Sequence, residues 1–248
     1  MSGTATTEQA VTPSADGGTR WRAAVAWTVA GCWGVWAVAR LAGADRLSPG
    51  MPVTPLISFT PYVAATAFVP VACAALLRRR WPLLVSVLVA VALVVPLLPR
   101  AVAGDQPAAR GPAVRVLTAN LLFGLAEPER VVELVRRHAV DVLSLQELTP
   151  AAVTRLEAAG LTRILPYKVV DTEGGAAGSG LYSRHRLRAL PAPPGTLMAM
   201  PRAEFTLAGG RRVEVTAVHP PPPISGEAVW QWRHDLRVLP SAERTAGT

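Results

Sequence analysis

Two stretches of sequence decide the fold of the second half of the chain: VRVLTANLLFG at residues 114–124 and DVLSLQE at residues 141–147. Each contains a short run of β-branched and leucine residues, which is typical of a strand that is covered on both faces. The apolar runs end at Asn120 and Glu147. Because polar side chains appear where the two buried strands finish, we expect a site to be assembled there.

The residues around these two strands predict a mixed α/β unit. Strands are expected at residues 114–119 and 142–145, with helices at 128–138 and 150–159. Four further strands are expected later in the chain, at residues 167–170, 180–183, 202–207 and 212–218. A pair of glycines at 209–210 predicts that the last two form a hairpin. A final amphipathic helix is expected at 227–239, with four apolar residues on one side: Val229, Trp232, Leu236 and Leu239.

The first hundred residues differ in composition, because they contain three long apolar stretches at about residues 22–41, 53–77 and 81–99. A helix needs roughly 20 apolar residues to cross a bilayer, so all three are predicted to be transmembrane helices. Pro61, Pro70 and Pro96 lie within them and are expected to kink them. Buried core helices are one alternative. A cleaved signal peptide is another, which fits less well because three apolar stretches follow one another.

The net charge of +8 lies mainly in this apolar part, with nine arginines and four acids before Gly111. Basic residues of a membrane protein follow its topology, so the charge is poor evidence for nucleic-acid binding. Arg78, Arg79 and Arg80 form a short basic loop that is predicted to stay in the cytoplasm. The chain is therefore predicted to be a multi-pass protein of the cell membrane, with an extracytoplasmic soluble domain.

These patterns divide the chain into four predicted regions. They are a disordered cytoplasmic tail at residues 1–20, the transmembrane helices at 21–99, a linker at 100–112 and the α/β unit at 113–248. Cys32 and Cys73 both lie in predicted spans. The α/β unit therefore has neither a disulfide framework nor a thiolate metal site.

Four motifs follow one another in the second half: TANLLFG at 118–124, DVLSLQE at 141–147, GSGLYSR at 178–184 and VTAVHPPPP at 215–223. In this order they resemble the endonuclease/exonuclease/phosphatase superfamily, whose members cut phosphate esters with a divalent metal ion. Together with the preceding spans, the chain is similar to a bacterial membrane-anchored member. The resemblance implies an α/β fold, with three transmembrane helices followed by a partial two-sheet sandwich.

The resemblance also implies roles for three residues. Asn120 and Glu147 match the residues that build the metal and phosphate site, and His219 matches a histidine that contacts the scissile phosphate. A carboxylate oxygen suits a hard cation such as Mg²⁺ or Mn²⁺. An amide can orient a phosphate oxygen without adding charge, and an imidazole N–H can stabilise charge that develops on the phosphoryl group. Near the cleft, the resemblance places Tyr182 and a structural Arg184.

Each of the three residues also has a simpler interpretation. Asn120 could satisfy a turn, Glu147 could be an acid at a helix N-terminus, and His219 could end a strand before four prolines. The segment 174–180 could be an ordinary flexible loop. The other three histidines match no catalytic position and are expected at the surface: His138, His185 and His234.

In the family, the helix that matches residues 230–239 is followed by a Gly-Asp-x-Asn segment, a further aspartate and an Asp-His pair. No such motif follows Pro240 here. We therefore expect an incomplete site, and a partial fold that exposes strand edges and apolar faces.

Two functions remain open. One is a membrane-anchored, divalent-metal-dependent phosphoesterase whose partners are the lipid bilayer and a phosphate ester: a nucleic acid, a phospholipid or a lipid-linked phosphate. No protein partner is defined. The other is a non-catalytic membrane protein, either a pseudoenzyme or a fragment. A transporter subunit is a weaker alternative, because charges that could mark a pathway are missing from the three spans.

Overall fold

The computed structural model describes residues 16–44, 53–102 and 111–241. It divides into two compact units, one formed by the helices before residue 106 and one formed by the strands and helices after residue 107. The predicted tail at residues 1–20 and the predicted linker at 100–112 lie mostly outside the described residues. Both therefore stay predictions.

The N-terminal unit is a set of apolar helices. They are α1 (Asp16–Leu41), α2 (Val53–Ile57), α3 (Thr60–Ala65), α4 (Phe68–Leu76), α5 (Arg80–Val94) and, after a 3-10 turn at Val95–Leu97, α6 (Leu98–Ala101). Within the described ranges, the helical segments Gly18–Leu41 and Arg80–Ala101 are each long and apolar enough to cross a membrane. A bent pair, Val53–Ala65 with Phe68–Leu76, makes a third if it is counted as one span.

The bend in the second apolar stretch measures 48° and has an identifiable cause. Pro70 lies four residues after Thr66, so it cannot donate a backbone hydrogen bond to the carbonyl of Thr66, and its ring crowds that carbonyl. The hydroxyl of Thr66 in turn donates to the carbonyl oxygens of Tyr62 and Val63. Such side-chain bonds compete with the helical pattern, and the helix breaks between Ala65 and Phe68 as the proline predicts.

Close packing in this unit relies on small residues and a few polar contacts. Ala26, Ala30 and Ala37 of α1 are buried, at 1%, 1% and 4% exposure. The indole of Trp33 donates to the carbonyl of Val63 at 3.2 Å, which ties α1 to α3. Small residues that let helices approach closely, together with interhelical hydrogen bonds, are typical of helices packed in a bilayer.

The C-terminal unit is built on two sheets. The first contains β1 (Val116–Asn120), β2 (Val142–Gln146), β3 (Tyr167–Asp171) and β4 (Ser179–Ser183), in the order β1-β2-β4-β3. β1 and β2 are parallel, and the other pairs are antiparallel. The second sheet is antiparallel, in the order β5-β6-β7, and contains β5 (Arg188–Leu190), β6 (Arg202–Thr206) and β7 (Arg212–Thr216).

Each face of the first sheet has its own core. On one face, residues such as Leu143 and Leu145 pack with α7 (Pro128–Arg137), α8 (Pro150–Ala158) and α9 (Leu161–Ile164). On the other face, Val142 packs against Phe205 of the second sheet. The predicted fold class, an α/β unit of two sheets after an apolar helical region, is therefore confirmed.

Three local predictions differ from the structure. β1 was expected to be covered on both faces, but it is an edge strand and leaves Val116 61% exposed. The short elements β5 and α9 were not predicted. The last helix, α10 (Gly226–Arg237), buries Val229 as expected but leaves Leu236 40% exposed and buries Asp235 instead. The apolar pattern was too weak to set the rotation of α10, because a polar residue lies on its buried side.

Candidate active site

Asn120 and Glu147 lie side by side because β1 and β2 are parallel neighbours. In the strand register Asn120 pairs with Gln146, so Glu147 follows directly at the same edge of the sheet. The amide Nδ2 of Asn120 donates to Oε1 of Glu147 at 2.8 Å. The side chain of Glu147 is 13% exposed, so this bond fixes a largely buried carboxylate. The two strand ends therefore lie together as expected. The roles of Asn120 and Glu147 stay predictions.

The loop after β1 folds back onto the same two side chains. The backbone N–H of Leu122 donates to Oδ1 of Asn120 at 2.8 Å, and the N–H of Phe123 donates to Oε2 of Glu147 at 2.5 Å. A carboxylate that accepts several N–H groups is held in one orientation. Sequence reasoning did not identify this loop as part of the site.

Backbone strain is concentrated at this point. Leu122, Phe123 and Glu147 have φ values of 50°, 56° and 56°, in the left-handed region that residues other than glycine rarely adopt. Each such residue costs on the order of 1–3 kcal/mol, and strained residues of this kind cluster at functional sites. Three of them within one hydrogen-bonded group mark these strand ends as more than an ordinary turn.

His219 follows β7, so the second sheet contributes this residue to the candidate site. Its Nε2 lies 3.8 Å from Oε1 of Glu147, and its side chain is 18% exposed. That nitrogen is buried and has no hydrogen-bond partner among the residues that the structure describes. An unsatisfied buried nitrogen is costly, so it is suited to an incoming acceptor such as a phosphoryl oxygen. This proximity was predicted only through the family resemblance.

The donor set at the site fits a particular kind of metal ion. Glu147 supplies a carboxylate, while the oxygen of Asn120 already accepts the N–H of Leu122. Among the described residues, no cluster of three or more His, Cys, Asp or Glu side chains could hold a metal ion. Mg²⁺ often binds through one or two carboxylates and takes its other oxygens from water and substrate phosphates. The residues present could hold a divalent ion of this kind, with Glu147 as its protein ligand.

The segment before β4 packs against the backbone that directly follows Glu147. The N–H of Leu148 donates to the carbonyl of Gly178 at 2.8 Å, and a side chain at Gly178 would collide with the carbonyl of Leu148. A glycine is needed because the two backbones touch. The segment 174–180, for which a flexible loop was one interpretation, is therefore closely packed at Gly178.

Tyr182 and Arg184 lie away from this cluster of contacts. The phenol of Tyr182 is fully buried without a hydrogen-bond partner, and burial, with a smaller contribution from Glu157, raises the pKa of its hydroxyl above the ordinary value. The guanidinium of Arg184 lies 3.6 Å from the carboxylate of Asp141 and donates to the carbonyl of Val140. Both contacts tie β2 to β4, which agrees with a structural role for the arginine.

Only one of the other three histidines lies at the surface as expected. His138 is exposed at the end of α7. His185 is half-buried and stacks on Phe205, with ring centroids 5.2 Å apart. His234 has a buried Nε2 that faces Gly195. Packing across the second sheet explains the burial of His185, and no local sequence pattern indicates it.

Comparison with known proteins assigns the second unit. The sequence model of the Endonuclease/Exonuclease/phosphatase family matches residues 117–247, which is more than half of the chain. The chain belongs to the endonuclease/exonuclease/phosphatase family. Its second unit is therefore a domain of the phosphoesterase and nuclease type. The family match spans the strand ends, the loop and His219.

No curated protein matches the chain. Among solved structures, it is similar to a humanized D. rerio TDP2 with 14 mutations and to D. rerio TDP2 complexed with a single-strand DNA product. Each match has 20% sequence identity and a TM-score of 0.32, and covers 42% of this chain. The matches cover 45% and 44% of those two chains, so this chain spans less than half of their length.

Proposed function

We propose that the protein is a membrane-anchored phosphoesterase that depends on a divalent metal ion and hydrolyses a phosphate ester. The observation that carries this proposal is the convergence of Asn120, Glu147 and His219 at the edge between the two sheets. Their contacts are 2.8 Å from Asn120 to Glu147 and 3.8 Å from His219 to Glu147. The family of the domain supports the reaction class, and the geometry supports a part for each residue in it.

Each residue has a defined task in this proposal. Glu147 would hold Mg²⁺ or Mn²⁺, which supplies charge neutralisation for the phosphoryl group when bound. Asn120 and the N–H of Phe123 orient the carboxylate, so its position does not have to be organised during the reaction. The Nε2 of His219, which has no hydrogen-bond partner among the described residues, donates to a phosphoryl oxygen as negative charge grows there.

The direct test measures hydrolysis by the full chain in detergent, with Mg²⁺ or Mn²⁺, on a chromogenic phosphodiester and a chromogenic phosphomonoester. Removing one preorganised group of this kind lowers kcat by about 100-fold or more, so we expect that loss for Glu147→Gln and for His219→Gln. The matched controls are Glu129→Gln and His138→Gln, since both side chains are exposed on or beside α7. Equal rates in Glu147→Gln and the unaltered chain would show that the Glu147 carboxylate takes no part in hydrolysis.

The arrangement of basic residues supports an extracytoplasmic domain. A guanidinium nitrogen of Arg79 donates to the carbonyl of Thr19, which places the turn before α5 at the same end of the helical unit as the start of α1. Arg20, Arg22 and the triple arginine therefore share one end, which by the positive-inside rule is cytoplasmic. The span Arg80–Ala101 then ends on the opposite side.

A topology reporter tests this orientation. Alkaline phosphatase is active only outside the cytoplasm, whereas green fluorescent protein exported in unfolded form is dark. We expect fusions after residue 248 to give high phosphatase activity and low fluorescence. A bright fluorescent fusion with inactive phosphatase would reverse the proposed orientation.

A second candidate function is non-catalytic binding of a phosphate ester. It is favoured by one observation: among the described residues, Glu147 belongs to no group of three or more His, Cys, Asp or Glu side chains that could hold a metal ion. Binding without turnover would appear as saturable Mg²⁺-dependent association of inorganic phosphate, with no hydrolysis of either chromogenic ester. Such a result would replace the enzymatic proposal.

A further inference from the structure

The loop that follows β1 exposes apolar side chains beside the candidate site. Residues 121–126, with the sequence LLFGLA, carry no charge. Leu122, Phe123 and Leu125 are 62%, 53% and 70% exposed. Single exposed apolar residues are ordinary, but three within four positions form a contiguous apolar tip, which we call the apolar loop (residues 121–126).

Hydrogen bonds and a buried residue fix the conformation of the apolar loop. Leu121 is 2% exposed and its N–H donates to the carbonyl of Gln146, which anchors the loop to β2. At its other end the N–H of Ala126 returns to the carbonyl of Leu121 at 2.9 Å, and Arg155 donates to the carbonyl of Gly124. A loop fixed at both ends and in the middle presents its exposed side chains in one arrangement.

Two of the exposed residues lie in strained backbone. Leu122 and Phe123 both lie in the left-handed region, at φ values of 50° and 56°. A glycine or an asparagine at either position would relieve that strain. The protein instead holds a leucine and a phenylalanine in strained backbone, with more than half of each residue exposed to solvent.

The position of the apolar loop beside the candidate site indicates which kind of ligand it contacts. The N–H groups of Leu122 and Phe123 bind Asn120 and Glu147 directly, so the apolar tip begins where the polar cluster ends. A ligand bound there meets polar groups on one side and apolar side chains on the other. A phosphate ester with an apolar tail meets both requirements.

We propose that the apolar loop inserts into a lipid bilayer and that the substrate is a phospholipid phosphoester presented at the bilayer surface. This inference rests on the proposed phosphoesterase function and names its substrate class. The apolar spans of the same chain, once in a membrane, keep the domain next to lipid, which makes insertion of even a small apolar tip effective. Nucleic acid fits the loop less well, since its backbone attracts basic side chains and this loop has none.

A spin label tests lipid contact without requiring catalysis. In a Cys32→Ala, Cys73→Ala background, a nitroxide is attached at Leu125→Cys and, as the control, at Leu197→Cys; the native leucine at 197 is 61% exposed. The full chain is placed in phosphatidylcholine nanodiscs, and collision rates with oxygen and with a water-soluble nickel complex are compared. We expect several-fold more oxygen collision and less nickel collision at 125 than at 197. Equal accessibility at the two positions overturns the proposal, as does protection of position 125 by single-stranded oligonucleotide but not by lipid.

A kinetic test separates this inference from the proposed function. Two phosphodiesters with the same head group are compared, one carrying a long acyl chain in mixed micelles and one fully water-soluble. Leu125→Asp should lower kcat/KM for the acylated ester by about tenfold or more, as expected for loss of one partly inserted leucine, and leave the soluble ester unchanged. Leu197→Asp should change neither, and Glu147→Gln should lower both. Loss on both esters with Leu125→Asp, or on neither, refutes lipid recognition by the loop, whereas unchanged rates with Glu147→Gln refute the phosphoesterase itself.

Discussion

Gly124 is the position where the loop after β1 touches α8, and its substitution by alanine gives a quantitative test of that packing. Gly124 has φ of +74°, and an added Cβ would overlap Thr149 Oγ1 and lie 3.2 Å from the Cβ of Ala152. The hydroxyl of Thr149 accepts the N–H of Ala152 and so caps α8. The new methyl group would therefore strain the backbone and displace a helix cap at the same time.

The expected size follows from these two contributions. Alanine in left-handed backbone costs about 1 kcal/mol, and loss of a threonine N-cap together with local overpacking adds about 2 kcal/mol. Gly175 provides a matched control, because its φ is +69° and no atom lies within 4 Å of an added Cβ. Gly175→Ala should therefore cost only the backbone part, about 1 kcal/mol.

Pulse proteolysis of the full chain in detergent, over a urea series and followed through a C-terminal tag, measures both free energies of unfolding. Gly124→Ala should be less stable than Gly175→Ala by about 2 kcal/mol. It should also reduce hydrolysis, since moving the loop breaks the Phe123 to Glu147 bond, whereas Gly175→Ala should not. Free energies within about 0.5 kcal/mol of each other would refute the packing argument.

Two further predictions concern the sheets. Leu145→Ala should lower the free energy of unfolding by about 2–5 kcal/mol, because the side chain is fully buried in the main core. Val116→Ser should change it by less than about 1 kcal/mol, because Val116 is exposed on the edge strand. The same proteolysis assay compares the two variants, and similar losses of stability would contradict the difference in burial. Because burial raises the pKa of Tyr182, the stability that it contributes is complete below its ordinary value near 10 and is lost as pH rises above it. Tyr182→Phe should therefore lose less melting temperature between pH 8 and pH 11 than the unaltered chain, and an identical loss would contradict a phenol kept neutral by burial.

Strand positions were largely predictable, because short runs rich in apolar residues occur in β1 and β2 and the glycine pair at 209–210 marks the hairpin. The pattern of apolar residues did not predict how exposed each strand is. The run in β1 resembles that in β2, yet Val116 is exposed while all of β2 is buried. That difference depends on which strand lies at the edge, and strand order is a property of the whole sheet. β5 was missed because three residues of mixed polarity carry no periodicity.

The candidate site was predictable in part. Asn120 and Glu147 could be placed together because parallel neighbours end at the same edge. His219 arrives from the second sheet, so its distance of 3.8 Å to Glu147 depends on how the sheets stack. Leu122 and Phe123 were not singled out, since apolar residues after a strand ordinarily indicate burial and backbone angles cannot be read from side-chain type. The roles of the three site residues, and the orientation in the membrane, stay predictions.

The left-handed backbone at Leu122 and Phe123 has a consequence for protein engineering. A screen for heat-resistant variants would favour asparagine or glycine at both positions, because the substitutions relax the backbone and replace side chains that are more than half exposed. The variants it selects would keep Asn120, Glu147 and His219 and lose the apolar tip. If the apolar loop recognises lipid as proposed, such variants would prefer soluble phosphate esters, with no change in Asn120, Glu147 or His219.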